Sequence, residues 1–226
     1  MITLHHLNNS RSQRIIWLLE ELEVPYEIKK YQRTSEQRAP PELLKIYPLG
    51  KSPVITDTGA QGNENIVLAE SGAIVEYLIK TYGNGKFAAA TSGQAYIDNL
   101  YYTHYAEGSI MPTVVQKLIF GMIPDRSPFL LRGLLRGVFG KITEMVVNPE
   151  MKKHSELVES HLATKEWFAG GSEPTSADFL MIFPAEILES TGLAGPKTKE
   201  YAKKIHERPA YKKALEKGGE YSILKR

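Results

Sequence analysis

Up to Tyr82 the apolar positions of this chain switch between the spacing of strands and the spacing of helices. Thr3 to Leu7 is a short, partly apolar run that predicts a strand, after which Ile15, Ile16, Leu18, Leu19 and Leu22 recur at helical spacing. Pro25 stops that helix and Tyr26 to Tyr31 predicts a second strand, so the chain opens β-α-β with the crossover that parallel pairing needs. A polar loop from Gln32 to Arg38 follows. Pro40 and Pro41 suit the opening of a short helix ending before Tyr47-Pro48-Leu49-Gly50. Pro53 to Thr56 predicts a third strand, Asp57-Thr58-Gly59 a turn, and Ile66 to Ala69 a fourth strand in a hairpin with the third. Ser71 to Tyr82 is then a helix with Ile74, Val75, Leu78 and Ile79 on its apolar side. The expected order is β-α-β-α-β-β-α.

Gly83, Asn84 and Gly85 end that helix, and Ala88 to Gly93 form a small-residue connection with little to pack. The expected domain boundary falls there, giving units 1–85 and 92–226. Beyond it every signal is helical. Gln94 to about Leu118, Phe129 to Val147, and Pro149 to Glu166 predict three helices, the last with Leu157, Val158 and Leu162 on one face. Further helices are expected over Thr175 to Ser190, Pro196 to His206 and Pro209 to Lys217, with Gly218-Gly219 as a stop. The fold class is therefore α+β, a small mixed unit followed by an all-α bundle.

Composition narrows the chemistry. With 226 residues, 42% hydrophobic and 24% charged, the chain is that of an ordinary globular protein. A formal charge of +2, with basic and acidic residues interspersed, argues against a nucleic-acid partner. Cysteine is absent, so disulfides, thiolate zinc sites and a redox Cys-x-x-Cys are excluded, and any sulfur chemistry must come from a bound thiol. No apolar run is long enough to span a bilayer and the first residues lack the pattern of a signal peptide, so a cytoplasmic protein is expected. The histidines are not spaced as a metal set: His5 and His6 fall on opposite faces of a strand, and His154 and His161 lie seven apart.

Three junctions could carry chemistry. Asn8 to Arg14 lies between the first strand and first helix, where free backbone N–H groups favour an anion. A free thiol is only about 3% ionised at pH 7, and lowering its pKa by about two units is worth roughly 2.7 kcal/mol. The helix end with one hydroxyl could supply part of that shift, while the plainer reading is that Ser10 or Ser12 merely caps the helix. Ser52-Pro53 stands between a turn and a strand; a cis bond would turn the Ser52 backbone outward to pair with a peptide, and a trans Pro opening an edge strand is the plainer reading. Glu70-Ser71 stands where the fourth strand meets a helix. Its carboxylate and cap donors suit the two ends of an α-amino acid, and a simple N-cap explains it equally. Thr175 and Asp178, by contrast, form a capping box with a structural role.

Taken together, the order of elements and the stretches Leu7 to Leu22, Arg38 to Leu43, Pro48 to Pro53, Leu68 to Gly72, Tyr105 to Ser109 and Thr175 to Asp178 resemble the glutathione transferases, in particular their theta-like fungal and bacterial branch. The resemblance implies a thioredoxin-like domain that binds glutathione and a helical domain that completes the pocket. By position, Ser10 matches the serine that hydrogen-bonds the glutathione sulfur, Pro53 the cis-proline, and Ser52 the residue that pairs with the cysteinyl backbone. Glu70 and Ser71 match the pair gripping the γ-glutamyl group, Lys51 and Arg38 positions facing the glycine end, and Tyr102 and Tyr105 the side of the second substrate. No tyrosine or cysteine stands where other branches keep theirs, so Ser10 is the natural candidate, with Ser12 a nearby competitor. The implied partners are glutathione, as co-substrate, with a small electrophile or hydroperoxide, and a second copy of the chain as a homodimer; no metal is implied. The alternative is a glutathione-binding or regulatory protein without turnover.

Overall fold

A computed structural model describes residues 1–59 and 65–224. Strand β1 (Ile2–Leu7) is followed by helix α1 (Gln13–Leu22), β2 (Tyr26–Tyr31), a 3₁₀ turn (Pro41–Lys45), β3 (Val54–Asp57), β4 (Ile66–Ala69) and α2 (Ser71–Tyr82). The four strands pair in the order β2-β1-β3-β4, with β1 parallel to β2 and the other pairs antiparallel. This is the thioredoxin-like arrangement. The expected second helix is a 3₁₀ turn of five residues, too short after Pro40 and Pro41 for a stable α-helix.

The helical domain follows as α3 (Gly93–Tyr105), α4 (Met111–Arg126), α5 (Phe129–Ile142), α6 (Asn148–Leu162), α7 (Ser176–Ser190), α8 (Pro196–Glu207) and α9 (Pro209–Gly218). Here the reading from spacing is corrected in two places. The helix expected to stop near Leu118 continues to Arg126, and Pro149 does not begin a new helix but lies inside a continuous one. A π-turn joins α3 to α4 (Ala106–Ile110) and another joins α5 to α6 (Thr143–Val147). Each ends shortly before a proline, Pro112 and Pro149. A proline lacks the N–H that an α-turn would use and crowds the carbonyl one turn back; a turn widened to i→i+5 relieves both.

Helix α1 packs between the sheet and the helical domain, and its residues 13–19 and 22 are all buried. Trp17 holds Phe179 of α7 at 4.3 Å between ring centroids and Tyr211 of α9 at 5.8 Å. One continuous core therefore runs from Leu4 of β1 through α1 to Ile182 of α7. The capping box is present, and buried Asp178 further accepts hydrogen bonds from the Phe168 N–H at 2.9 Å and the Tyr201 hydroxyl at 3.2 Å. Helix α5, by contrast, buries no residue, and Leu130, Leu134, Val138 and Ile142 form an exposed row at four-residue spacing. Among the described residues no helix is long and apolar enough to cross a membrane.

Candidate functional site

The topology brings the ends of β1 and β4, the start of β3 and the starts of α1 and α2 to one end of the sheet, and the three junctions read from the sequence lie there. The loop after β1 turns through Asn9, which has φ +51°, before α1 begins. The N–H groups of Ser10 and Arg11 find no acceptor among the described residues, and no acidic residue occupies the first turn of α1. No side chain of the helix itself opposes its positive end. Arginines reinforce it. Arg33, whose pKa burial pushes down, donates to the carbonyls of Asn8 and Asn9, both at 3.3 Å. Arg11 and Arg14 both donate to Glu107 of the π-turn, Arg11 at 2.7 Å.

Ser12 stands at the N-cap of α1 but its side chain makes no cap bond. Instead Ser10 Oγ donates to the Leu7 carbonyl at 2.7 Å and lies 2.7 Å from Ser12 Oγ. The Ser10 proton is therefore held by the backbone. Ser52-Pro53 is a cis peptide, and the Ser52 hydroxyl ties its loop to β1, donating to the His5 carbonyl at 2.9 Å and accepting from the Leu7 N–H at 3.2 Å. The Ser52 backbone N–H and C=O pair with nothing among the described residues.

Glu70 has φ +69°, a rare conformation for a residue with a side chain, and is exposed at the N-cap of α2. Ser71 beside it is buried, and its hydroxyl has no hydrogen-bond partner among the described residues. The pair therefore offers a free carboxylate, a free hydroxyl and the open N–H groups of a helix start. Lys51 and Arg38 are both exposed; Arg38 meets Glu36 at 3.5 Å, a surface ion pair that a ligand carboxylate could replace at little cost.

Tyr102 and Tyr105 are placed differently from the other seven. Tyr102 packs in the helical core against His161 at 4.3 Å and Phe168 at 4.6 Å, and Tyr105, also buried, has its hydroxyl 2.5 Å from His154. The apolar residues beside the Ser10 loop are others: Met111, Val114 and Val115 of α4, with Phe183, Tyr221 and Ile223. Their position is fixed from two sides. The Arg14 guanidinium lies 5.6 Å from the Phe183 ring, and the Ser222 N–H donates to Asn9 Oδ1 at 2.6 Å. Sequence reasoning missed this cluster and the Arg33 brace, because both join segments far apart in the chain. Among the described residues no group of His, Asp and Glu is arranged to hold a metal ion.

Comparison with known proteins finds relatives in sequence and in fold. The glutathione S-transferase N-terminal domain family matches residues 1–80. Glutathione S-transferase 3 of Schizosaccharomyces pombe is 36% identical over 221 residues, covering 96% of this chain and 88% of that protein. Among solved structures, a glutathione S-transferase of Actinobacillus pleuropneumoniae superposes with a TM-score of 0.73 at 31% identity, covering 100% of this chain and 96% of its own. A glutathione transferase family member from Pseudomonas fluorescens, solved with two glutathione molecules bound, gives a TM-score of 0.74 at 27% identity, covering 95% and 92%.

Proposed function

This chain belongs to the glutathione S-transferase family, and from that premise we propose that it is a cytoplasmic enzyme that holds glutathione as a thiolate over the start of α1 and directs it at an electrophile. The observation that carries this reading is the loop after β1, with unpaired N–H groups, a serine hydroxyl and the Arg33 brace at a helix end whose own first turn has no acidic residue. An anion placed there is stabilised by the helix end, and proximity to the second substrate contributes the rest. Ser10 turns its proton from the Leu7 carbonyl to the sulfur. The Ser52 backbone beside Pro53 pairs with the cysteinyl residue, Glu70 takes the γ-glutamyl ammonium, and Ser71 with the first N–H groups of α2 takes its carboxylate. Lys51 and Arg38 face the glycine carboxylate. The electrophile lies against Val114, Val115 and Ile223, which are only partly buried, rather than against Tyr102 and Tyr105.

The same thiolate would reduce an organic hydroperoxide, two glutathione molecules giving up two electrons and two protons to form their disulfide, an alcohol and water. Ultraviolet absorption of bound glutathione across pH tests the central claim. The thiolate band should rise about two units below the free thiol's pKa. An unshifted titration would establish the second reading, a binding protein without turnover, which draws its support from the Ser10 proton being engaged by the Leu7 carbonyl.

A homodimer is part of this reading. The exposed row Leu130, Leu134, Val138 and Ile142 on α5, with Ile97, Leu100 and Tyr101 on α3, supplies apolar surface for a second copy. Sedimentation equilibrium at micromolar concentration should give twice the chain mass of 25.4 kDa; a species of single mass would remove the dimer.

A further inference from the structure

Beneath the Ser10 loop lies a buried row of hydrogen bonds that the reading above leaves unused. His6, near the end of β1, is 2% exposed. Its Nδ1 lies 2.7 Å from Ser12 Oγ, Ser12 Oγ lies 2.7 Å from Ser10 Oγ, and Ser10 Oγ donates to the Leu7 carbonyl at 2.7 Å. Each contact is short enough to require a proton between the two atoms, and each hydroxyl has one to give. With the Ser10 proton on the Leu7 carbonyl, the contact between the serines takes the Ser12 proton. The contact between Ser12 and His6 must then take its proton from the ring, so His6 is protonated at Nδ1.

The remaining features of His6 agree. Burial, helped by the charge of Lys30 across the sheet, pushes its pKa down to about 4 against the weaker pull of the Gly218 carbonyl, so the ring is neutral at pH 7 and has one N–H. Its Nε2 makes no hydrogen bond of normal geometry, and the Gly218 carbonyl is the weakest influence on the ring, so Ser12 Oγ at 2.7 Å has the stronger claim on its one N–H.

We propose that His6 is a positioning residue of the glutathione site, whose Nδ1–H orients the Ser12 and Ser10 hydroxyls in a single direction so that Ser10 can give a proton to the ligand sulfur but cannot take one from it. This rests on the reading of Ser10 as the sulfur's donor. Ser10 Oγ accepts from the Ser12 hydroxyl and, at 3.3 Å, from the Ser12 N–H, which fills both of its lone pairs. A thiol S–H would find no acceptor there, whereas a thiolate finds a donor. The row of donors also polarises the Ser10 O–H and strengthens it as a donor to an anion.

Nitrogen-15 chemical shifts of the His6 ring in the ligand-free protein, assigned with His6→Asn, should show a protonated Nδ1 and a bare Nε2; the opposite tautomer would overturn the proposal. The pKa of bound glutathione gives a second, independent readout. His6→Leu and Ser12→Ala should each raise it by about half a unit, the strength of one neutral hydrogen bond, and the double variant should raise it no further than either alone. His6→Asn, with an amide N–H where Nδ1 stood, should stay at the wild-type value. If His6→Leu does not fold, Ser12→Ala and His6→Asn carry the test, since the Ser12 side chain makes no cap bond to α1. Should Ser10→Ala raise the thiol pKa while His6→Leu does not, the role of His6 alone falls; should Ser10→Ala leave it unmoved, the Ser10 reading falls and this one with it.

Discussion

Glu107→Ala is expected to lower the unfolding free energy by about 3 kcal/mol, because it strands a buried guanidinium. Arg14 is 1% exposed and reaches across from α1 to three places in the helical domain: the Glu107 carboxylate, the Leu180 carbonyl at 2.8 Å and the Phe183 ring. Of these only Glu107 supplies a negative charge. Burial already pushes the Arg14 pKa down and Glu107 is what opposes it, so without Glu107 the desolvation cost of Arg14 has no compensation. Removing one partner of a buried pair costs about 3–5 kcal/mol, and the partial exposure of Glu107 sets the low end of that range. Urea unfolding followed by circular dichroism reads the effect. Glu107→Gln, which retains an acceptor but no charge, should lose about half as much, and Arg11→Ala less than about 1 kcal/mol, since Arg11 is partly exposed. A loss below about 1 kcal/mol in Glu107→Ala would mean that the Leu180 carbonyl and the Phe183 ring alone hold Arg14.

Ser10→Ala is expected to lower turnover with an aryl halide about 30- to 100-fold while changing glutathione affinity by no more than about threefold. A hydrogen bond to a charged group is worth about 1.5–3 kcal/mol, and the thiolate is the form that reacts, so the loss appears mainly in the rate. On the proposed reading the tripeptide is held at its two ends by Glu70 with Ser71 and by Lys51, not at the sulfur, so affinity is spared. Initial rates and calorimetric titration separate the two quantities. Equal losses in both would show that Ser10 serves only to bind. Ser12 stands between Ser10 and His6, and in the proposed row its proton goes to Ser10, which leaves it the lesser part.

The strand and helix positions of the first domain were legible because each element follows one local rule, a period of two or 3.6 broken by Gly and Pro. The limits of α3 to α6 were not. Pro149 looks like a helix start to any local rule, and only the π-turn before it lets the helix run on. The candidate site divides the same way. Ser10, Ser52, Glu70 and Ser71 could be picked out because each sits at a junction whose backbone geometry the neighbouring residues already imply. Tyr102 and Tyr105 could not be placed, because whether a helical aromatic faces a cleft or the core depends on what packs against it; here His154, His161 and Phe168 enclose them.

The amino-acid sequence by itself determined the exclusion of cysteine chemistry, which needs only composition, and the order of elements and the helix end where an anion would sit, which depend on residues near each other in the chain. Only the tertiary structure decided what surrounds that helix end. Glu107 reaches it from the π-turn, Arg33 from the segment after β2, Ser222 from the last described residues, and His6 lies beneath it. Charge, burial and proton direction at a site are set by the sum of neighbours in space, and folding brings those neighbours together from distances along the chain at which spacing has no signal.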